Sequence, residues 1–273
     1  MELLNIKNYV TKRKESLKKH SKGASITIFQ VGDNLASERY VRNKIKDMDE
    51  VGIKHRLYKF DDNISPNDFY SKLSFVCTNS EGAVMVQLPL PPQLDIEIVK
   101  LIIPPRKDVD GFNANSYFKP CTPLGIMNYL TAQDINLDGI NATVIGRSDI
   151  VGKPMANMLT NANATVTLCH SHTNNTNLKF YTQHSDLIVS AVGKRGFITK
   201  DMISDHTIVI DVGINFDENN HLCGDCVKDL ANSDKDIQVT PVPCGVGLLT
   251  RLTLLENIIK QKERITNEWN RNF

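Results

Sequence analysis

Tyr40 and Lys44 stand four residues apart, so on a helix they share one face, a turn apart. A ring so placed can lie against a flat heterocycle. An amine over the same ligand can act as acid or base where burial shifts its pKa. Gln87 ends the apolar run Gly82-Ala83-Val84-Met85-Val86, and an amide at the end of a buried strand must find a partner. Asp110 precedes Gly111 on a turn that follows Pro104-Pro105; its carboxylate can accept paired hydrogen bonds from an amino-pyrimidine ring. Each residue has a plainer reading. From its helix alone, Tyr40–Lys44 is better read as a surface tyrosine beside a solvated lysine, and Asp108 as a turn cap.

The elements that must carry these residues are legible. Ser25 to Val31 is β-rich, and Gly32-Asp33-Asn34 turns. Asn34 or Ser37 can cap a helix that runs to Val51 and stops at Gly52, with Val41, Ile45 and Met48 as its apolar stripe. A strand near Leu57, a helix from Pro66 to Phe75, the strand ending at Gln87 and a helix from Asp95 to Ile102 follow. Apolar throughout, Gly82–Gln87 fits a central parallel strand buried on both faces. Pro120-Cys121-Thr122-Pro123 opens a helix, with Thr122 expected at the N-cap and Pro123 at the first helical position. A second α/β series begins at Asn141, with strands at 143–145, 165–169, 187–191 and 207–211. An amphipathic helix runs from Leu248 to about Asn267. Alternating strands and helices imply an α/β fold with parallel sheets.

The bulk properties narrow the function. The chain has 273 residues, 41% hydrophobic and 23% charged, with net charge +1. That charge draws it to neither nucleic acid nor an anionic membrane. No apolar run is long enough to span a bilayer, and the Lys-rich first residues lack the core of a signal peptide, so the cytoplasm is the expected compartment. The six cysteines read as free thiols. Cys223-Gly224-Asp225-Cys226 reads as a turn, and no metal site is expected.

Ile145-Gly146-Arg147-Ser148 leads through Val151-Gly152-Lys153-Pro154 from a strand into a helix. A dinucleotide pyrophosphate sits at such a helix N-terminus. The glycine spacing is not G-x-G-x-x-G, so a tight strand–helix turn is an equal reading of the motif alone. Its place on the first strand of a new α/β series favours the cofactor. The second strand ends Cys169-His170-Ser171-His172 without a carboxylate for ribose hydroxyls. Ser171 and Arg147 could instead hold a 2′-phosphate, which favours NADP over NAD.

Taken in order, Tyr40 to Lys44, Gln87-Leu88-Pro89, Lys107 to Gly111, Pro120 to Pro123, Gly146 to Pro154, Asp211 to Asn215 and Thr240 to Pro243 resemble the bifunctional methylenetetrahydrofolate dehydrogenase/cyclohydrolase family. The resemblance runs from about Ile26 to Ile259. It implies oxidation of 5,10-methylenetetrahydrofolate with NADP, then hydrolysis of the methenyl product to 10-formyltetrahydrofolate. It also implies two domains: 1–119 with 248–273 for folate, and Rossmann-like 120–247 for NADP, with the active site in the cleft between them. Tyr40, Lys44, Gln87 and Asp110 would be the catalytic group. Folate would touch these residues together with Leu88 and Pro243. The cofactor would meet Gly146, Arg147, Ser148, Val151, Ser171, Ile214 and Thr250. Lys44 is expected to be largely uncharged in the complex, helped by desolvation and by a hydrogen bond from Gln87. A homodimer is implied, with tetrahydrofolate derivatives as ligands.

The chain departs from the family at Cys244, where a glycine is usual, at Leu248-Leu249, where Pro-Met is usual, and at His172, where a cation is expected. The 113–119 loop is short. Two rivals remain: a shikimate-dehydrogenase-like NADP enzyme, and a folate-binding protein without catalysis.

Overall fold

The computed structural model describes residues 2–228, 230 and 234–272. The chain forms two compact units, Met1–Thr11 with Thr122–Thr250, and Lys12–Cys121 with Arg251–Phe273. The sequence reading assigns the first residues to the folate domain. The structure groups them with the other unit, because β1 (Glu2–Leu3) pairs in parallel with β11 (Gln238–Val239).

In the unit built on Lys12–Cys121, β2 (Ser25–Val31) lies between β3 (Lys54–Phe60) and β4 (Ala83–Val86), all parallel. The central strand is buried from Ile26 to Val31, whereas β3, at the edge, is mostly exposed or half-buried. Phe29 is fully buried and packs against Tyr58, Phe60 and Phe69. The helices here are α2 (Leu35–Val51), α3 (Pro66–Asn79) and α4 (Ile96–Ile102). α1 (Ile6–Leu17) and α8 (Val246–Asn272) each continue from one unit into the other. Among the described residues no helix is long and apolar enough to cross a membrane.

The caps of α2 are those its sequence dictates. Asn34 accepts a hydrogen bond from the Ser37 N–H at 3.0 Å, and Gly52, at φ 82°, closes the helix in the left-handed region with its N–H on the Met48 and Asp49 carbonyls. Its inward stripe differs from the expectation. Val41, Lys44, Met48 and Val51 are buried, whereas Ile45 is only half-buried.

The other unit holds a six-stranded parallel sheet in the order β1-β11-β8-β7-β5-β6. Its remaining strands are β5 (Asn141–Ile145), β6 (Thr165–Cys169), β7 (Leu187–Ser190) and β8 (Ile208–Asp211). Around it stand α5 (Cys121–Ala132), α6 (Gly152–Asn161) and α7 (Asn175–Gln183). A small hairpin, β9 (Asn215–Phe216) with β10 (Leu222–Cys223), follows β8. α5 begins at Cys121, so Thr122 lies inside the helix rather than at its N-cap. Pro123 is tolerated there because the first-turn N–H groups have no helical acceptor to lose.

Candidate active site

Both sheets reverse direction of growth at one strand. From β5 the chain moves to β6 on one side and returns to β7 on the other; from β2 it moves to β3 and then to β4. Ligands of α/β sheets bind beyond the carboxyl ends of the strands at such points. Gly146 follows β5, and Gln87 follows β4 beside β2, with its N–H on the Phe29 carbonyl.

Lys44 is 8% exposed. Its Nζ donates to Gln87 Oε1 at 3.1 Å and to Met85 Sδ at 3.2 Å. A buried cation or amine is costly unless so partnered. Met85 and Gln87 are two apart on one strand direction, so they present side chains to the same side. Gln87 Nε2 donates to the Leu88 carbonyl at 2.8 Å, which turns the amide oxygen toward Lys44. The sequence reading expects a hydrogen bond from Gln87 to the amine; the bond runs the other way. Ser37 Oγ donates to the same Leu88 carbonyl, so α2 is tied to the Gln87-Leu88 segment near its start as well as at Lys44.

Tyr40 is half-buried one turn before Lys44. Burial pushes its phenol up, and the charge of Arg251 pulls against that. Asp110 is half-buried, and its backbone carbonyl accepts from the Cys121 N–H. The Cys121 thiol is pushed well above its ordinary value, first by burial and then by the Asp110 carboxylate, while Lys44 opposes the shift. Lys44 and Asp110 therefore share a neighbour. Asn257 of α8 donates to the Val109 carbonyl at 2.8 Å and fixes the backbone just before Asp110. Gly111, at φ 67°, passes so close to Lys119 and Pro120 that a Cβ would collide with their backbone. Asp108 is buried and accepts from the Phe112 and Asn113 N–H groups. It is the turn cap its sequence suggests. Lys107 is buried with its Nζ on the Cys77 and Ser80 carbonyls at the end of α3, and that burial lowers its pKa.

The other expected residues lie in the second unit. Gly146 has φ 114°, and a Cβ there would strike the Ala191 carbonyl. Gly152 packs its bare Cα against the Gly146 carbonyl and Arg147. Ser148 Oγ accepts from the Val151 and Gly152 N–H groups at the start of α6. Arg147 and Ser148 are exposed beside that helix N-terminus, Ser171 is exposed after β6, and Ile214 is 49% exposed after β8. This close-backed turn, with a hydroxyl, a guanidinium and a helix N-terminus, fits an anionic pyrophosphate. Thr250 differs from a free ligand group: its Oγ1 is 2.9 Å from Thr122 Oγ1. Pro243, expected against folate, belongs to this unit and follows a cis Val242–Pro243 bond. Cys244 is exposed at φ 74°, the left-handed region that favours glycine.

Sequence reasoning missed a carboxylate. Asp225, read as part of a turn, is fully buried. It accepts from Ser190 Oγ, Asn215 Nδ2 and the Val192 and Lys194 N–H groups. Beside it Asp211 accepts from the Gly213, Asp225 and Cys226 N–H groups. Together they pin the loops at the carboxyl ends of β7 and β8. The available signal was the pair of glycines, Gly213 and Gly224, each of which would clash with one of these carboxylates if it bore a Cβ. Among the described residues no cluster of three or more His, Cys, Asp or Glu could hold a metal ion.

Comparison with known proteins places these two units. The model of the tetrahydrofolate dehydrogenase/cyclohydrolase catalytic domain matches residues 4–110, and that of the NAD(P)-binding domain matches residues 120–266. The chain is 43% identical over 266 residues to the "Bifunctional protein FolD" of Campylobacter concisus, covering 94% of this chain and 93% of that protein. It superposes on the FolD methylenetetrahydrofolate dehydrogenase/cyclohydrolase of Campylobacter jejuni with TM-score 0.91 and 39% identity, covering 97% of this chain and 99% of that one. The Trypanosoma brucei FolD, solved with NADP cofactor and inhibitor, matches with TM-score 0.89 and 27% identity, covering 97% and 98%. With a catalytic-domain model lying over Lys44, Gln87 and Asp110 and a nucleotide-domain model over the Gly146 turn, this chain belongs to the tetrahydrofolate dehydrogenase/cyclohydrolase family.

Proposed function

We propose that the chain oxidises 5,10-methylenetetrahydrofolate to the 5,10-methenyl form with NADP and hydrolyses that product to 10-formyltetrahydrofolate. The observation that carries this reading is the Lys44 amine, buried against Gln87 and Met85 and sharing the neighbour Cys121 with Asp110, in the part of the chain matched by the family's catalytic domain. Tyr40 offers a ring for the flat part of the folate, and Asp110 a carboxylate for the amino-pyrimidine edge. Gln87, its own orientation set by Leu88, holds the Lys44 amine in one place.

The methenyl product is a cation, and water adds to its one-carbon bridge. The attacking water must lose a proton as the C–O bond forms, and a ring nitrogen must gain one as the C–N bond breaks. Lys44, with two N–H bonds committed to Gln87 and Met85, has its remaining valence for that transfer. NADP, when bound, supplies the acceptor for the hydride. Arg147 and Ser148 would hold its phosphates at the start of α6, and Ser171 with Arg147 its 2′-phosphate, which supports NADP over NAD. The NADP bound to the Trypanosoma brucei relative supports the same choice. Folate derivatives are the ligands. A homodimer is the assembly the family resemblance supports, and the sedimentation of purified protein tests it.

The test is a spectrophotometric assay with methylenetetrahydrofolate and either NADP or NAD. Cofactor reduction with NADP and net loss of added methenyltetrahydrofolate support the reading. Shikimate-dependent reduction instead would overturn it, as would folate binding without turnover.

A further inference from the structure

One buried ionic group lies outside the residues assigned above. Asp47 is 4% exposed and sits on α2 one turn after Lys44, so Tyr40, Lys44 and Asp47 follow one another along one side of the helix. Each of its oxygens meets a cation from a different helix. Lys14 of α1 donates to Oδ1 at 2.6 Å, and Arg251 of α8 places Nε 2.6 Å from Oδ2. Lys14 is itself buried, and also reaches Glu50 at 2.8 Å. The Arg251 side chain is 18% exposed, and its charge is felt at Tyr40.

Three helices thus converge on one carboxylate. A buried ion pair is a poor source of net stability, because desolvation offsets the attraction. Hydrophobic side chains of similar size would hold α1, α2 and α8 together as well. What the carboxylate adds is direction: Lys14 holds Oδ1 by a hydrogen bond, and Arg251 Nε faces Oδ2 as an ion pair without hydrogen-bond alignment, so the two cations favour one place for the carboxylate. That place fixes the rotation of α2 about its axis and its slide along it. Lys44 must meet Gln87 Oε1 and Met85 Sδ within hydrogen-bond distance, so a small rotation of α2 would break both contacts. At the other end of the helix the Ser37–Leu88 bond provides a further tie.

We propose that Asp47, clamped by Lys14 and Arg251, is a positioning residue for the Tyr40–Lys44 face of α2 in the folate reaction. The proposal rests on the function assigned above.

The test compares Asp47→Asn, Arg251→Leu and Arg251→Lys with Arg13→Leu. Arg13 bridges α1 to the buried Glu256 of α8 at 2.6 Å, a pair that does not include α2, so its loss reports simple loosening of the flanking helices. Dehydrogenase and cyclohydrolase turnover, KM for folate, KM for NADP and Tm are measured for each. Asp47→Asn and Arg251→Leu are expected to lower both kcat values by about tenfold or more, as small misplacements of a reacting group do. KM for NADP should stay within about twofold of the parent, because uniform cofactor binding is untouched. Arg251→Lys, which keeps a cation opposite Asp47, should recover most of the turnover. Arg13→Leu should lower Tm with little change in kcat. If Asp47→Asn does not fold, Arg251→Leu and Arg251→Lys carry the comparison. Variants that lose Tm like Arg13→Leu yet keep parental kcat would overturn the positioning role. A parent protein without either activity would overturn the functional reading beneath it, so the two failures are distinct.

Discussion

Lys44 shows how little of a buried amine is visible from its neighbours in sequence. Its helix reads as Val41, Ile45 and Met48 facing inward, with lysine at the surface. The structure turns the helix so that Lys44 takes a place in that stripe, because Gln87 and Met85 satisfy it there. Gln87 could be singled out in the sequence as an amide ending an apolar strand; Met85, one side-chain repeat earlier on the same side, could have been added by the alternation of a strand. Lys44→Met should keep the fold and lower cyclohydrolase turnover by about 10²–10⁴-fold, the range for loss of a general acid or base. Cys244 makes a separate prediction. At φ 74° it occupies backbone space suited to glycine, so Cys244→Gly should raise the unfolding free energy by about 0.5–1 kcal/mol once glycine's greater unfolded-state entropy is subtracted. Denaturant midpoints at unchanged m-value would register it.

α2 was readable because its ends and its interior agree. Asn34 and Gly52 bound it, and the structure uses both. Asn34→Ala should cost about 1 kcal/mol through the lost bond to the Ser37 N–H, measurable by equilibrium unfolding. α1 was not read. Of its residues only Ile6, Val10, Lys14 and Leu17 are buried, and a stripe interrupted by a lysine among many lysines carries little helical signal. The β9–β10 hairpin was hidden for a different reason: strands of two residues give no alternation to detect. Its turn is organised by Asp217, which accepts from the Asn219 and His221 N–H groups and from Lys228 at 2.6 Å. Lys228 first, then the backbone N–H of His221, holds the Asp217 carboxyl well below the usual carboxylate range. A carboxylate depressed in the folded state stabilises above its unfolded pKa, and that contribution fades as pH falls from there toward the folded value. Asp217→Asn should therefore lower stability at neutral pH and flatten the acid limb of the stability–pH curve, so that variant and parent converge below about pH 4.

The whole chain repeats one device. Each sheet reverses at an interior strand, and each reversal lies beside a candidate site residue: Gln87 beside β2 in one unit, Gly146 after β5 in the other. The alternation of strands and helices foretold parallel sheets, but not that residues 2–3 would close the six-stranded sheet on β11, at the far end of the sequence. Two-residue pairing across that separation leaves no local pattern. The role of Asp225 is hidden on the same ground, since its partners, Ser190 Oγ, Asn215 Nδ2 and the Val192 and Lys194 N–H groups, are brought in by the fold. At this scale the cofactor prediction applies: Arg147→Ala should raise KM for NADP by about tenfold and KM for NAD by clearly less, because the pyrophosphate contact is common to both cofactors and the charge-assisted bond to a 2′-phosphate is NADP's alone.

The most direct test follows cofactor reduction and methenyltetrahydrofolate together in one cuvette, for the parent chain and for Lys44→Met. The parent should reduce NADP in the presence of methylenetetrahydrofolate and keep the methenyl compound from accumulating, while Lys44→Met loses the hydrolysis. Unchanged hydrolysis in Lys44→Met, or no folate-dependent reduction by the parent, would contradict the account.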